Sequence, residues 1–245
     1  MAVLVTRPAP DNERTAAALR ARGFDVLLAP MLRFEPLALP QDAFCDATAV
    51  IATSSNALRA AAPQLAGSPV LQLPLFAVGD HTAAQARTAG FTHVISADGD
   101  ADALRELIAN SAAAGTIEPR ATLLYLAGAD ISRDLASELA EHGFDVVTQT
   151  VYRMARVTTL PREVCEAFAA STIEAVLHYS RRSAAAFVAA IRADGVEISA
   201  LAVPHCCMSA NVAEALRDAG ATQVTISAHP DEKDMLEGLT RALRP

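Results

Sequence analysis

Gly143-Phe144-Asp145-Val146-Val147-Thr148-Gln149-Thr150-Val151-Tyr152-Arg153-Met154 reads as the end of a helix, a turn and one long strand. It has a partner near the other end of the chain, Gly23-Phe24-Asp25-Val26-Leu27-Leu28-Ala29-Pro30-Met31-Leu32-Arg33-Phe34. Both stretches open on Gly-Phe-Asp-Val and run on as extended chain. Two such strands are expected to cross together between two lobes. A cleft would then lie beside the crossing, with Tyr152 at its mouth.

Outward from these strands the chain alternates. Ala2-Val3-Leu4-Val5-Thr6 is a short apolar run, as a strand covered on both faces requires. Arg7-Pro8-Ala9-Pro10 ends it, and Asp11 or Asn12 can cap a helix that carries Leu19 and closes near Gly23. With Asp25 to Leu28 as a second strand, this is a βαβ unit, hence a parallel pair with a right-handed crossover. Further strands are expected at 49–53, 75–79, 93–96, 122–127, 174–179, 204–208 and 223–227. Helices are expected to open at Ser54-Ser55-Asn56 and to span Asp80 to Gly90, about Asp130 to His142, about Arg182 to Arg192, and Asn211 to Ala219. The tail from Asp231 to Leu243 has amphipathic helical spacing.

The pieces repeat. Ala49-Val-Ile-Ala-Thr-Ser54 lies over Ala175-Val-Leu-His-Tyr-Ser180, and Val78-Gly-Asp-His-Thr82 with Gly90 lies over Met208-Ser-Ala-Asn-Val212 with Gly220. Val3-Leu-Val-Thr6 up to Gly23-Phe-Asp-Val26 lies over Leu123-Leu-Tyr-Leu126 up to Gly143-Phe-Asp-Val146. The chain therefore holds two copies of one five-strand unit, and the pieces of one copy flank the other. The expected fold is α/β: two similar flavodoxin-like parallel-sheet domains, one inserted in the other, joined by a two-stranded β-ladder. Residues 1–34 plus 158–245 form the first domain and 41–147 the inserted one, with connectors at 35–40 and 148–157. The ladder would act as a hinge.

With hydrophobic residues at 52%, charged residues at 20% and a net charge of −8, the chain can build a core and lacks the basic face of a non-specific nucleic-acid binder. A local cluster of Arg7, Arg33, Arg153, Arg181 and Arg182 could still draw in a polycarboxylate. Cys45, Cys165, Cys206 and Cys207 form no Cys-x-x-Cys pair and read as reduced, mostly buried thiols of a cytoplasmic protein. The chain opens directly on a strand, with no export-signal pattern, and no apolar run is long enough to cross a bilayer. There is no Gly-x-Gly-x-x-Gly, no P-loop and no set with metal-ligand spacing.

In parallel α/β sheets ligands bind beyond the carboxyl ends of the strands, at helix N-termini. The tips here are Thr6-Arg7, Thr53 to Asn56, Gly79 to Thr82, Ala127-Gly128, Ser180 to Arg182 and Ser209 to Asn211. Their hydroxyls, glycines and arginines fit a carboxylated or phosphorylated ligand. Ser54, Ser180 and Ser209 also read as helix N-caps, a role compatible with ligand contact.

Val5-Thr6-Arg7-Pro8, Thr53-Ser54-Ser55-Asn56-Ala57, Ala77-Val78-Gly79-Asp80-His81-Thr82-Ala83, the strand ending Val151-Tyr152, Tyr179-Ser180-Arg181-Arg182-Ser183 and Ser209-Ala210-Asn211-Val212-Ala213 with Gly220 occur in the order and spacing of one family. Over its whole length the chain resembles uroporphyrinogen-III synthase. It departs from the pattern at Ser209 and Val212, where some relatives carry Gly and Thr, and at Tyr179 to Arg182, where Ser-Pro is usual. The resemblance implies a lyase that converts hydroxymethylbilane, a linear tetrapyrrole with acetate and propionate arms, into uroporphyrinogen III. Water is lost and the last ring inverted, on the way to haem, sirohaem, cobalamin or chlorophyll. No metal or organic cofactor is implied. Tyr152 matches the family's tyrosine and would assist departure of water. Thr6, Arg7, Ser54, Thr82, Ser180 and Asn211 would hold carboxylates. A cytoplasmic monomer is expected, with hand-over of substrate from hydroxymethylbilane synthase and no membrane or nucleic-acid partner. The competing reading is a two-lobed, non-catalytic paralogue that binds an anionic tetrapyrrole or other small ligand.

Overall fold

A computed structural model describes residues 1–40, 46–131 and 133–243, for residue 242 the backbone only. Cys45 and the first residues expected of the inserted domain lie outside the described residues. The chain divides into two compact units, Met1–Phe34 with Ala155–Pro245, and Glu35–Met154.

The first unit opens with β1 (Ala2–Val5), α1 (Asp11–Arg20) and β2 (Asp25–Leu28). The chain then leaves through β3 (Leu32–Pro36). The second unit contains β4 (Ala49–Ala52), α2 (Ser55–Leu65), a 3-10 turn at Pro69–Gln72, β5 (Pro74–Ala77), α3 (Asp80–Thr88), β6 (His93–Ser96), α4 (Ala101–Ala113), β7 (Thr122–Gly128) and α5 (Leu135–Glu141). The chain returns along β8 (Asp145–Arg156). The first unit is completed by α6 (Arg162–Ala169), β9 (Ile173–His178), α7 (Arg181–Ala193), α8 (Glu197–Leu201), β10 (His205–Cys207), α9 (Ala210–Arg217), β11 (Val224–Ile226) and α10 (Glu232–Leu243).

One sheet has the order β11-β10-β9-β1-β2, the other β3-β8-β7-β4-β5-β6. Apart from β3 the two orders superpose, with β7 standing for β1, β8 for β2 and β4 to β6 for β9 to β11. The registers agree too. Val3 faces Val26 as Leu123 faces Val146, Leu4 faces Val176 as Leu124 faces Val50, and His205 faces Val224 as Leu75 faces Val94. The first unit reads 2-1-3-4-5 in its own strand order, the flavodoxin-like arrangement. In the second unit the same sheet is reached by a permuted path, because the β7–β8 pair comes last instead of first. The structure is thus an α/β duplication of two parallel sheets, one copy inserted in the other.

β3 and β8 carry the two chain crossings. The Leu37 N–H donates to the Val151 carbonyl and the Val157 N–H to the Met31 carbonyl. The order of these bonds makes the pair antiparallel, a two-stranded ladder added to a parallel sheet.

Continuous apolar runs become central strands because both faces of each sheet are covered. Val3, Leu4 and Val5 are fully buried. Val3 and Val5 join Ala175, Leu177, Cys206, Met235 and Leu239 on one face, while Leu4 joins Val176, Phe187, Ile191 and Cys207 on the other. Each such aliphatic side chain contributes roughly 2 kcal/mol. Adjacent Cys206 and Cys207 therefore do point to opposite faces, both as free thiols.

Some elements differ from the sequence expectation. α5 begins at Leu135, not near Asp130. The Asp134 carboxylate accepts from the Ser137 N–H at 3.1 Å, so Asp134 is the cap that wins. Arg133, just before it, is held out of the helix by Asp102 and Glu138. α4, α6 and α8 were not expected at all.

Candidate functional site

The carboxyl ends of a doubly wound sheet open a crevice where the strand order reverses. In the second unit that point lies at β4 and β7. A cavity of about 310 Å³ occupies it, lined by Thr53, Ser54, Val78, Tyr125, Gly128, Asp130, Ile131, Arg133 and Tyr152 among others. Its walls come from β7 and β8, from the segments that follow β4, β5 and β7, and from the first residues of α4 and α5. A larger cavity of about 430 Å³ lies under α10, lined by Cys206, Ile226, Met235 and Leu239. It is the less suitable site, since its walls are mainly apolar and it lies at an edge strand of the sheet, away from the reversal.

Two tyrosines reach the first cavity. The Tyr152 hydroxyl donates to Ser54 Oγ at 3.3 Å. Ser54 caps α2 from an extended backbone, and its Oγ also accepts from the Asn56 N–H at 3.2 Å. Tyr125 is buried in β7, and its hydroxyl lies 2.9 Å from Thr53 Oγ1. Two phenols and two aliphatic hydroxyls therefore converge where β4 and β7 end, beside the middle of β8.

One wall is braced by charge. Arg133 holds Asp102 through two bonds of 2.7 and 2.9 Å, and Glu138 through two of 2.6 and 2.8 Å. Arg105 meets the same two carboxylates at 3.1 and 3.2 Å. Hydrogen bonding from Arg133 keeps both carboxyls below their usual range, so the bracing stays ionised at neutral pH. Asp102 is exposed and Arg105, Arg133 and Glu138 are only half-buried, so solvent screens the pairs and the brace orders the segment more than it adds stability.

The equivalent place in the first unit, at β9 and β1, is filled by its own side chains. The Tyr179 hydroxyl donates to Glu232 at 2.8 Å, and Thr15 also bonds Glu232. Arg7 stacks over the Tyr179 ring, 4.2 Å from its centroid, and pairs with Asp11 at 2.9 Å and Glu232 at 3.3 Å. Burial pushes the Tyr179 hydroxyl up from its ordinary range, so it stays protonated.

The residues expected from the sequence to contact ligand divide accordingly. Tyr152 and Ser54 come together in the cavity. Thr6 is buried, and its hydroxyl donates to the Leu177 carbonyl at 2.7 Å inside the sheet. Arg7 has the acidic partners just described. Thr82 is buried in the first turn of α3. Ser180 caps α7, accepting from the Ser183 N–H at 3.1 Å. Asn211 is exposed and accepts from Arg181 at 2.7 Å. Ser180→Ala is expected to lower the urea-unfolding free energy by about 1 kcal/mol through loss of the cap. Of the expected arginine cluster, Arg153 pairs with Glu35 at 2.7 Å and Arg181 with Glu214 at 2.9 Å.

Tyr125 was not singled out from the sequence. In Thr122-Leu-Leu-Tyr-Leu-Ala127 it reads as one more apolar strand residue. The available signal is composition: the chain has three tyrosines, and all three stand at these two strand-order reversals.

The family model for uroporphyrinogen-III synthase HemD matches residues 13–237. Among solved structures, uroporphyrinogen-III synthetase from Helicobacter pylori aligns at 18% identity and a TM-score of 0.60, covering 99% of each chain. A mutant uroporphyrinogen III synthase from the extremely thermophilic bacterium Thermus thermophilus aligns at 19% identity and a TM-score of 0.56, covering 100% of this chain and 99% of that one. Both likenesses bear on the fold. A comparison with curated proteins finds no match.

Proposed function

Because the chain belongs to the uroporphyrinogen-III synthase family, lyases of tetrapyrrole biosynthesis, we propose that the strand-end cavity of its second unit is where the hydroxymethyl end of hydroxymethylbilane reacts. The observation that carries this reading is the asymmetry of the duplication. One strand-order reversal is a hydroxyl-lined cavity holding Tyr152 on Ser54, and the other is closed by Arg7, Tyr179 and Glu232. A cavity of about 310 Å³ has room for one substituted pyrrole, not for a tetrapyrrole. It therefore suits the reacting end of the substrate.

The chemistry asks little of the protein in bond-breaking. When the hydroxyl departs, the ring it leaves becomes an azafulvene cation that pyrrole electron density already stabilises. Tyr152 can turn its proton from Ser54 onto the leaving oxygen, while the Ser54 hydroxyl donates to the phenol oxygen in return. The carbon that closes the macrocycle later loses a proton, so the sum of the steps is release of one water. The larger task is orientation, since free hydroxymethylbilane closes without inversion. The protein must present the substituted carbon of the last ring to the cation.

The fixing of Arg133, which lines the cavity, by Asp102 and Glu138 supports a role in holding the ring still. Ser180 and Asn211, at strand ends of the first unit, remain the proposed contacts for outlying carboxylates. Thr6 is not kept as a contact, because its N–H and hydroxyl both donate to the Leu177 carbonyl and its own carbonyl accepts from the Met31 N–H; Arg7 is paired with Asp11 and Glu232, and Thr82 is buried in the first turn of α3. Spontaneous closure of the free substrate favours direct hand-over from hydroxymethylbilane synthase. No described helix is long and apolar enough to cross a membrane. A cytoplasmic monomer is the proposed working form.

Incubation of the purified chain with hydroxymethylbilane, followed by separation of isomers I and III, tests the reading. Isomer III is expected as the main product. Isomer I alone would favour the binding-protein alternative.

A further inference from the structure

The register of β7 and β8 slips by one residue at their carboxyl ends. Ala127 faces Thr150, but Gly128 faces Tyr152, so Val151 is the extra residue on β8. Uninterrupted pairing would bring Val151 opposite Gly128. Bulges of this kind re-aim a side chain at the end of a strand. The Tyr152 carbonyl stays tied down, accepting from the Ala129 N–H at 2.9 Å.

The residue opposite the tyrosine has no side chain. A Cβ built on Gly128 would stand 2.7 Å from Tyr152 Cζ and 2.9 Å from both Cε1 and the hydroxyl oxygen. These are the three nearest atoms, and all belong to the one ring. Gly128 does not have the positive φ that reserves a position for glycine. Its backbone therefore admits alanine, and the nearest obstacle to a methyl group is the phenol. Glycine inside a strand otherwise costs stability, and it marks places where another group approaches closely.

We infer that Gly128 is a positioning residue for the reaction: with the bulge at Val151 it forms the seat that holds the Tyr152 phenol against Ser54. The inference rests on the reading of Tyr152 given above. A methyl group at 128 drives the ring off the seat and the hydroxyl away from its hydrogen-bond partner. The effect falls on the chemical step and leaves the outlying carboxylate contacts alone.

Gly128→Ala, Tyr152→Phe and the double variant are compared for isomer III formation, with kcat and KM separated. Gly128→Ala is expected to lower kcat by about tenfold with KM little changed, a misplacement effect. In the Tyr152→Phe background it should lower kcat hardly further. A wild-type kcat for Gly128→Ala, or full additivity of the two changes, would overturn the inference. If Tyr152→Phe itself keeps the wild-type rate, the catalytic reading of Tyr152 fails, and the seat is judged by stability alone. For that, melting temperatures are measured for Gly128→Ala with and without Tyr152→Ala. The alanine should lower the melting temperature only while the ring is present. An equal drop in both backgrounds, or failure to fold in both, would place its cost elsewhere and reject the seat.

Discussion

Tyr152→Phe is expected to slow isomer III formation by about 100-fold, the range of a single positioned proton donor. The phenyl ring can take the same seat over Gly128, so the change removes the hydroxyl and leaves the packing. Ser54 keeps its cap bond to the Asn56 N–H, and α2 keeps its start. The melting temperature should therefore stay close to that of the parent chain. The loss should appear in kcat, because the bond from phenol to leaving oxygen matters only as water departs. As the enzymatic rate falls, spontaneous closure takes a larger share, and isomer I should rise in the product. A parental rate with unchanged isomer ratio would remove Tyr152 from the chemistry.

The second large effect is an acid sensitivity of the first unit that comes from buried histidines. His178 on β9 and His205 on β10 are fully buried diagonal neighbours, with Nε2 of His178 3.1 Å from Nδ1 of His205. Phe187 packs its ring against both. Desolvation drives the His178 imidazole well below its ordinary range, reinforced by its neighbour, and takes His205 from 6.5 to about 4. Both are neutral in the folded chain at neutral pH. The folded-state values lie below the unfolded one, so the unfolded chain binds more protons in acid. The stabilisation is complete above pH 6.5 and is lost as pH falls toward about 4. His205 alone accounts for a loss on the order of 3 kcal/mol. The inserted copy has Ala52 and Leu75 at the matching positions. His178→Ala with His205→Leu should therefore flatten the dependence of urea unfolding on pH over this range. An unchanged slope would mean that other groups carry the acid sensitivity.

The duplication was legible in the sequence because it rests on strands buried on both faces. A strand such as Val3-Leu-Val tolerates only a few residue types, so Leu123-Leu-Tyr still resembles it. The succession of five strands in each copy follows from those runs and from the left-handed glycines that end the helices, Gly23 and Gly143 among them, while their register appears only in the structure. Surface helices left a weaker trace. α6 begins at Arg162 after Pro161 with no side-chain cap bond, and α8 is only five residues long. The start of α5 was expected near Asp130, whereas the helix is capped by Asp134 after Arg133, which is held in part by Asp102, 31 residues away in sequence. In the site, Ser54 was legible because it stands at a strand tip, and Tyr152 because it stands in the long crossing strand and matches the family's tyrosine. Tyr125 was not, since a hydroxyl at the far end of a buried ring leaves no mark on periodicity. Nor could charge counting show that Arg7 is matched by Glu232 from the other end of the chain.

The claim that the second unit's strand-end cavity takes one pyrrole ring of the tetrapyrrole can be read at single side chains, because the chain has only three tyrosines. Ring-labelled tyrosine resonances, assigned with Phe variants, are followed by NMR during anaerobic titration with uroporphyrinogen III. The Tyr152 and Tyr125 ring signals are expected to shift together and saturate with the product. Saturable binding that leaves the Tyr152 signals unmoved would contradict the account.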